Sequence, residues 1–146
     1  MIHKSFDEMT GNGQALTDSA VLFKAGGWLA AKQEVTLCFG IVVGDDFRKA
    51  WLIANSRLLD WAFIGNTDVL ALVDGNRHKF EGFVQESDTQ IVGDDVICVE
   101  SFHTPVTEEF LAEIAGAQSA KVRLAGTDFD LPPEIIADVK ELIKAI

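Results

Sequence analysis

The sequence predicts an α+β fold that is mostly β: an antiparallel sheet system, sandwich-like or curled, with two C-terminal helices. Apolar residues alternate with other residues over 35–43 and 47–53, which is typical of strands that bury one face, and further β-like segments follow up to residue 103. After about residue 107 the apolar spacing changes in two segments to that of an amphipathic helix. Because the strands precede the helices instead of alternating with them, a parallel βαβ architecture is less favoured.

The N-terminal part of the chain differs from the rest. Residues 1–18 contain few large apolar side chains and include a Gly-Asn-Gly turn. We therefore expect an N-terminal arm over residues 1–18, either mobile or paired onto a sheet edge. A single globular domain is expected over residues 19–146, since the chain is long enough to bury a sizeable core without disulfides or metal.

The predicted strands follow in order. Val35, Leu37, Phe39, Ile41 and Val43 alternate within the β-like stretch 28–43. Residues 47–55 fit a strand or a helix, and the period-two spacing of their aromatic and aliphatic side chains favours a strand. Further strands are predicted at 19–24, 61–64, 69–73, 77–83, 96–103 and 119–126, with an Asp-Gly-Asn hairpin turn after residue 73 and a polar loop at 86–90.

Two helices are predicted near the C-terminal end. Thr104 or Thr107 can cap the first, acidic residues follow at 108–109, and Gly116 marks its end. The second starts at the Pro132-Pro133 pair, and its apolar residues recur at i, i+4, i+7 and i+11 from Ile135.

The composition indicates which partners the protein can bind and in which cellular compartment it is expected. The 146 residues include 12 Lys plus Arg and 23 Asp plus Glu, so the net charge is −11. This charge disfavours binding to nucleic acid and to anionic membrane surfaces. Cys38 and Cys98 lie in apolar runs without metal-binding spacing and are expected to be buried thiols in a reducing compartment. With no apolar run long enough to span a membrane and no visible export signal, we expect a cytoplasmic protein.

Residues 60–146 carry a resemblance to a known type of domain. The matching features are Asp-Trp-Ala-Phe-Ile at 60–64, Val-Asp-Gly at 73–75 followed by Arg77, a helix with a small-residue end at 108–117, and Lys-Val-Arg-Leu-Ala-Gly at 121–126. In these features the chain resembles small bacterial β-rich, sandwich-like domains without assigned activity. The resemblance implies a sandwich-like fold with helical additions and supplies no catalytic residue.

The candidate catalytic residues are Ser101 and His103. Two residues apart on a strand, their side chains share a face, whereas Glu100 points to the other side. No Gly-x-Ser-x-Gly nucleophile elbow accompanies them, and Cys98 is about 16 Å from His103 along an extended strand. A histidine that caps a loop at the strand end is the competing interpretation.

The candidate metal ligands are Asp128 and Asp130. Their carboxylates could bind calcium or magnesium, as could the Asp pairs at 45–46 and 94–95, but none has EF-hand spacing, and Asp is common in turns. The three histidines are too scattered for zinc. Glycines at 11–13 and 26–27 lack the context of a phosphate-binding loop, so we expect neither metal nor cofactor.

Three functions are compatible with these patterns. The leading hypothesis is a non-catalytic binding or interaction domain whose partner is a protein or a small ligand, and which can form a homodimer. One alternative is an acidic inhibitor or immunity-type protein that neutralises a basic partner, on the strength of the net charge. The other is a hydrolase of unrecognised type that uses Ser101 and His103.

Overall fold

The computed structural model describes residues 1–27 and 30–145, so residues 28 and 29 of the predicted strand 28–43 lie outside the described part. The strands are β1 (His3–Asp7), β2 (Asn12–Leu16), β3 (Ala20–Gly27), β4 (Ala30–Val43), β5 (Arg48–Leu58), β6 (Asp68–Val73), β7 (Asn76–Glu81), β8 (Phe83–Val92), β9 (Asp95–Val106), β10 (Ala120–Leu124) and β11 (Thr127–Asp130). The helices are α1 (Glu108–Ala115) and α2 (Pro133–Ala145). The α+β, mostly β class is confirmed.

Within residues 1–27 and 30–145 the strands form two antiparallel sheets, and neither is closed. The large sheet has the order β1-β2-β4-β5-β9-β8, with β3 also paired to β4. The small sheet has the order β11-β10-β6-β7. The helix α1 connects β9 of one sheet to β10 of the other, so the chain makes no parallel crossover there.

One hydrophobic core joins the two sheets and both helices. From the large sheet it contains Leu37, Phe39, Leu52 and Phe102, all fully buried. It also contains alternate residues of the small sheet and the apolar stripes of the helices: Val69, Ala71, Val73, Ala120, Val122, Leu124, Phe110, Leu111, Ile114, Ile135, Val139 and Leu142. Burial therefore defines an inner face of each sheet, and the alternate residues point outward.

The N-terminal segment is part of the large sheet. The strands β1 and β2 form a hairpin, and β2 pairs with β4 from Gly13↔Val43 to Leu16↔Gly40. This is the edge pairing that the sequence leaves open for residues 1–18. Ala15 is fully buried in the core, which joins the hairpin to the rest of the fold.

Both helices begin where their capping residues predict. The side chain of Thr107 accepts a hydrogen bond from the amide of Phe110 at 3.1 Å, and Gly116 follows the last turn of α1. The second helix starts at Pro133, whose missing N–H costs nothing in the first turn.

Two local predictions are wrong: residues 61–64 form a loop, not a strand, and residues 86–90 lie inside β8, not in a loop. The predicted strand at 119–126 is present as β10, but its hairpin partner β11 is not predicted. The strand at 47–55 is confirmed as part of β5. The strand β8 lacks an apolar alternation because nearly all of its side chains are exposed at the sheet edge.

The loop at 61–64 is held by a buried carboxylate instead of by strand pairing. Glu100, only 1% exposed on β9, accepts hydrogen bonds from the amides of Ala62 at 2.7 Å, Phe63 at 3.1 Å and Ile64 at 2.9 Å. It also accepts one from the hydroxyl of Ser56 at 3.3 Å. Donors that a strand would pair with a neighbouring strand are satisfied here by one side chain.

Candidate functional site

The side of the large sheet that points away from the core forms the candidate site, which we call the outer face. Neighbouring residues on the same strands, such as Leu52, Ala54 and Phe102, are fully buried on the inner side. The outer face comprises Thr36 of β4, Trp51, Ile53, Asn55 and Arg57 of β5, Phe83, Glu86 and Asp88 of β8, and Val99, Ser101, His103 and Pro105 of β9.

Strand register arranges part of this face into a polar row. Thr36 lies opposite Asn55, Asn55 opposite Ser101, and Ser101 opposite Glu86. Directly opposed residues share a face, so these four side chains cross four strands over about 14 Å. Asn55 and Glu86 are exposed, and Thr36 and Ser101 are partly exposed. The row therefore offers hydroxyl, amide and carboxylate groups to solvent in one line.

An aromatic group lies beside the polar row. Ile53 and Phe83 are the register partners of His103 on either side, and Trp51 lies one step further along β5. The ring of Trp51 is edge-on to Phe83 at a centroid distance of 6.1 Å and to His103 at 6.2 Å. Phe83 is 42% exposed, so the group presents aromatic surface to solvent.

The structure brings the two predicted catalytic residues together. The hydroxyl oxygen of Ser101 lies 3.2 Å from Nε2 of His103, on the face that the period of two predicts. Burial lowers the pKa of His103, and the nearby charge of Glu86 opposes this effect. Above pH 6.5 the imidazole is therefore neutral, and Nε2 can accept the hydroxyl proton.

Glu100, the acidic residue next to Ser101 in the sequence, lies away from the Ser101–His103 pair. Glu100 points to the inner side, as the sequence predicts, and its oxygens bind the loop at 61–64. Cys98 shares the inner register with Glu100 and so lies on the opposite side of the sheet from His103. The acidic residue beside the Ser101–His103 pair is Glu86 of β8, which is not predicted from sequence because it is assigned to a loop there.

A depression accompanies the polar row. Its volume is about 550 Å³. Asn55, Glu86, Asp88, Gln90 and Ser101 line it together with parts of β9. Its lining thus combines side chains that both donate and accept hydrogen bonds, those of Asn55, Gln90 and Ser101, with the acceptor carboxylates of Glu86 and Asp88.

The predicted metal ligands are engaged with cations of their own sheet. Asp128 forms a two-contact ion pair with Arg123 at 2.5 and 3.2 Å, and Asp130 lies 3.9 Å from Nζ of Lys121. Within the described residues, no three or more His, Cys, Asp or Glu side chains are grouped so that they could hold a metal ion.

Both thiols are free and buried. Burial raises the pKa of Cys38 and of Cys98, so each is held as the neutral thiol at neutral pH. Among residues 1–27 and 30–145, no helix is long and apolar enough to cross a membrane.

Comparison with protein-family models, with curated proteins and with solved structures finds no match to this chain.

Proposed function

We propose that this chain is a non-catalytic binding domain that binds a small polyhydroxylated ligand, of the oligosaccharide class, on the outer face. The observation that supports the proposal is the polar row Thr36–Asn55–Ser101–Glu86 next to the aromatic group of Trp51, Phe83 and His103. We also propose a reducing compartment, the cytoplasm, since both cysteines are buried and free.

The chemistry of such a ligand suits both halves of the site. A sugar hydroxyl donates one hydrogen bond and accepts others, and Asn55, Ser101 and Glu86 supply matching acceptors and donors. The C–H surfaces of a sugar ring are apolar and pack on aromatic side chains such as Trp51 and Phe83. A depression of about 550 Å³ is within the size range of small-molecule sites.

The Ser101–His103 pair suits recognition better than acyl transfer. Both residues lie within β9, which is paired on one side to β5 and on the other to β8. The backbone amides of β9 therefore donate hydrogen bonds to the neighbouring strands β5 and β8. An acyl-transfer site needs free amides that can stabilise the oxyanion. If the protein were a hydrolase that uses this pair, the unmodified chain would cleave an ester substrate and Ser101→Ala would not.

A glycan array followed by calorimetric titration tests the proposal. We expect binding of an oligosaccharide probe that weakens about tenfold or more in Trp51→Ala and about three- to tenfold in Asn55→Ala, the worth of one hydrogen bond. Asn55 is exposed, so its substitution keeps the test valid even if Trp51→Ala loses stability.

Trp61→Ala is the matched control, because Trp61 is an exposed tryptophan of the loop and not of the outer face. It should leave the affinity unchanged. Array signals no higher than background for every glycan, or an affinity that is equal in Asn55→Ala, Trp51→Ala and the unmodified chain, would overturn the proposal.

A further inference from the structure

The outward side of the small sheet carries a second surface with different chemistry, which we call the cationic face. Register places its side chains in two rows that cross the four strands. One row is Arg77, Leu72, Lys121 and Asp130, and the other is Lys79, Leu70, Arg123 and Asp128. The intervening residues Val69, Ala71 and Val73 are buried, which directs these rows outward.

The charge of this face contrasts with that of the whole chain. The two rows hold four of the 12 cationic side chains of a protein whose net charge is −11. The fold places Lys121 and Arg123 of β10 on the same side of the small sheet as Arg77 and Lys79 of β7. At the far end the row Asp68↔Glu81 is acidic, so the positive charge is confined to the two cationic rows.

The four cationic side chains of this face differ in whether they form an ion pair. Arg123 and Lys121 are neutralised by Asp128 and Asp130 of the edge strand β11. Arg77 and Lys79 form no ion pair with any residue in the described part of the chain. The contact between Arg123 and Asp128 shows, in the molecule itself, how a carboxylate from an adjacent extended segment binds on this face.

An apolar strip separates the pairs of cations. Leu72 is 43% exposed and lies between Arg77 and Lys121 in its row. A groove of about 320 Å³ is lined by Leu70, Leu72, Arg77, Lys121 and Arg123, together with the carboxylate of Asp128. An exposed leucine among cations indicates a partner that combines negative charge with apolar side chains.

We propose that the cationic face docks an extended acidic peptide segment of a partner protein. Carboxylates two residues apart on an extended chain are about 7 Å from each other, which matches the separation of Arg77 and Lys79 on β7. An apolar side chain of the segment then packs on Leu72. A long polyanion such as nucleic acid is disfavoured, because the rest of the acidic surface repels it.

Fluorescence anisotropy with a labelled peptide tests this docking. The probe is an acetylated peptide of alternating Glu and Leu, and its control replaces each Glu with Gln. We expect saturable binding of the Glu peptide, about tenfold weaker binding of the Gln peptide, and a loss of affinity when salt is raised from about 50 to 500 mM.

Charge reversal on the protein provides the specific test. Arg77→Glu with Lys79→Glu should weaken the binding of the Glu peptide about tenfold or more, and Arg77→Gln with Lys79→Gln should weaken it less. Lys24→Glu with Lys32→Glu makes the same charge change on the large sheet, at exposed positions, and should preserve most of the affinity. Circular dichroism establishes that each variant is folded.

Three results would overturn the docking proposal. They are no binding of the Glu peptide to the unmodified chain, equal losses in the two double reversals, and tighter binding of a single-stranded DNA oligonucleotide than of the peptide. The double reversal at Arg77 and Lys79 should leave glycan binding intact, so this proposal and the outer-face proposal can fail separately.

Discussion

Glu100 accepts a hydrogen bond of 2.9 Å from the amide of Ile64, 36 residues earlier in the chain. The same carboxylate accepts from the amides of Ala62 and Phe63, and the ring of Phe63 stacks on Phe102 at a centroid distance of 4.4 Å. One strand thus anchors the loop at 61–64 by polar and apolar contacts together. This explains how a segment with a strand-like composition remains outside both sheets.

Removal of the Glu100 carboxylate should destabilise the fold strongly. Glu100→Ala leaves three loop amides without their acceptor, that of Phe63 buried and those of Ala62 and Ile64 partly buried. An unsatisfied buried group costs about 1–3 kcal/mol and a partly buried one less, so we expect a total loss of about 3 kcal/mol. Glu100→Gln retains one acceptor oxygen and should lose less. Urea denaturation measures both, with the exposed Glu81→Gln as the control at less than about 0.5 kcal/mol. A loss in Glu100→Ala no larger than in the control would contradict this role.

Gly82 should tolerate no side chain where β7 passes into β8. A Cβ atom there would lie 2.4 Å from the ring of Phe102 and 2.4 Å from the hydroxyl of Thr104, both fully buried. Gly82→Ala should therefore cost about 1–3 kcal/mol through overpacking. Gly116→Ala is the matched control, because its nearest contact would be an ordinary 3.8 Å. Thermal denaturation should separate the two, and similar melting temperatures would refute the close approach.

Local patterns in the sequence are enough to predict much of the fold. The alternation around Leu37 and Phe39 identifies β4, and the caps at Thr107 and Pro133 locate both helices within a residue or two. These features depend on neighbours in the chain. The strand β8 escapes prediction because an exposed edge strand needs no apolar face.

The candidate site is only partly predictable for a related reason. Ser101 and His103 share a face because the period of a strand is local, so their contact follows from sequence. The polar row depends on the register between β4, β5, β9 and β8, which no single segment specifies. Likewise, the partnership of Glu100 with the loop joins positions 36 to 38 residues apart.

His103 should titrate below the ordinary histidine range. Burial lowers its pKa from 6.5, and the charge of Glu86 raises it, so Glu86→Gln should lower it further. Because the folded-state pKa lies below the unfolded one, this group's contribution to stability is complete above about pH 6.5 and is lost as the pH falls through the folded-state pKa. NMR titration of the imidazole Cε1 signal measures the shift, with Glu134→Gln on α2 as the control. An increase of the pKa in Glu86→Gln would be inconsistent with the arrangement on the outer face.

Asp128 should remain ionised at an unusually low pH. Its hydrogen bonds from Arg123 lower its pKa below 3.8, and the charge of Lys121 acts in the same direction. A lowered carboxyl pKa means that the ion pair stabilises the fold above pH 3.8 and that this contribution disappears as the pH falls through the folded-state value. Arg123→Gln should return the pKa of Asp128 toward 3.8, whereas Arg57→Gln on the large sheet should leave it unchanged.

NMR titration of the carboxyl carbon signal of Asp128, at low and at high salt, measures this pKa. The lowering of the pKa should be smaller at high salt, because both side chains of the ion pair are half-exposed. If Asp128 titrates at 3.8 in the unmodified chain, the carboxylate contact that serves as the precedent for peptide docking on the cationic face is absent in solution.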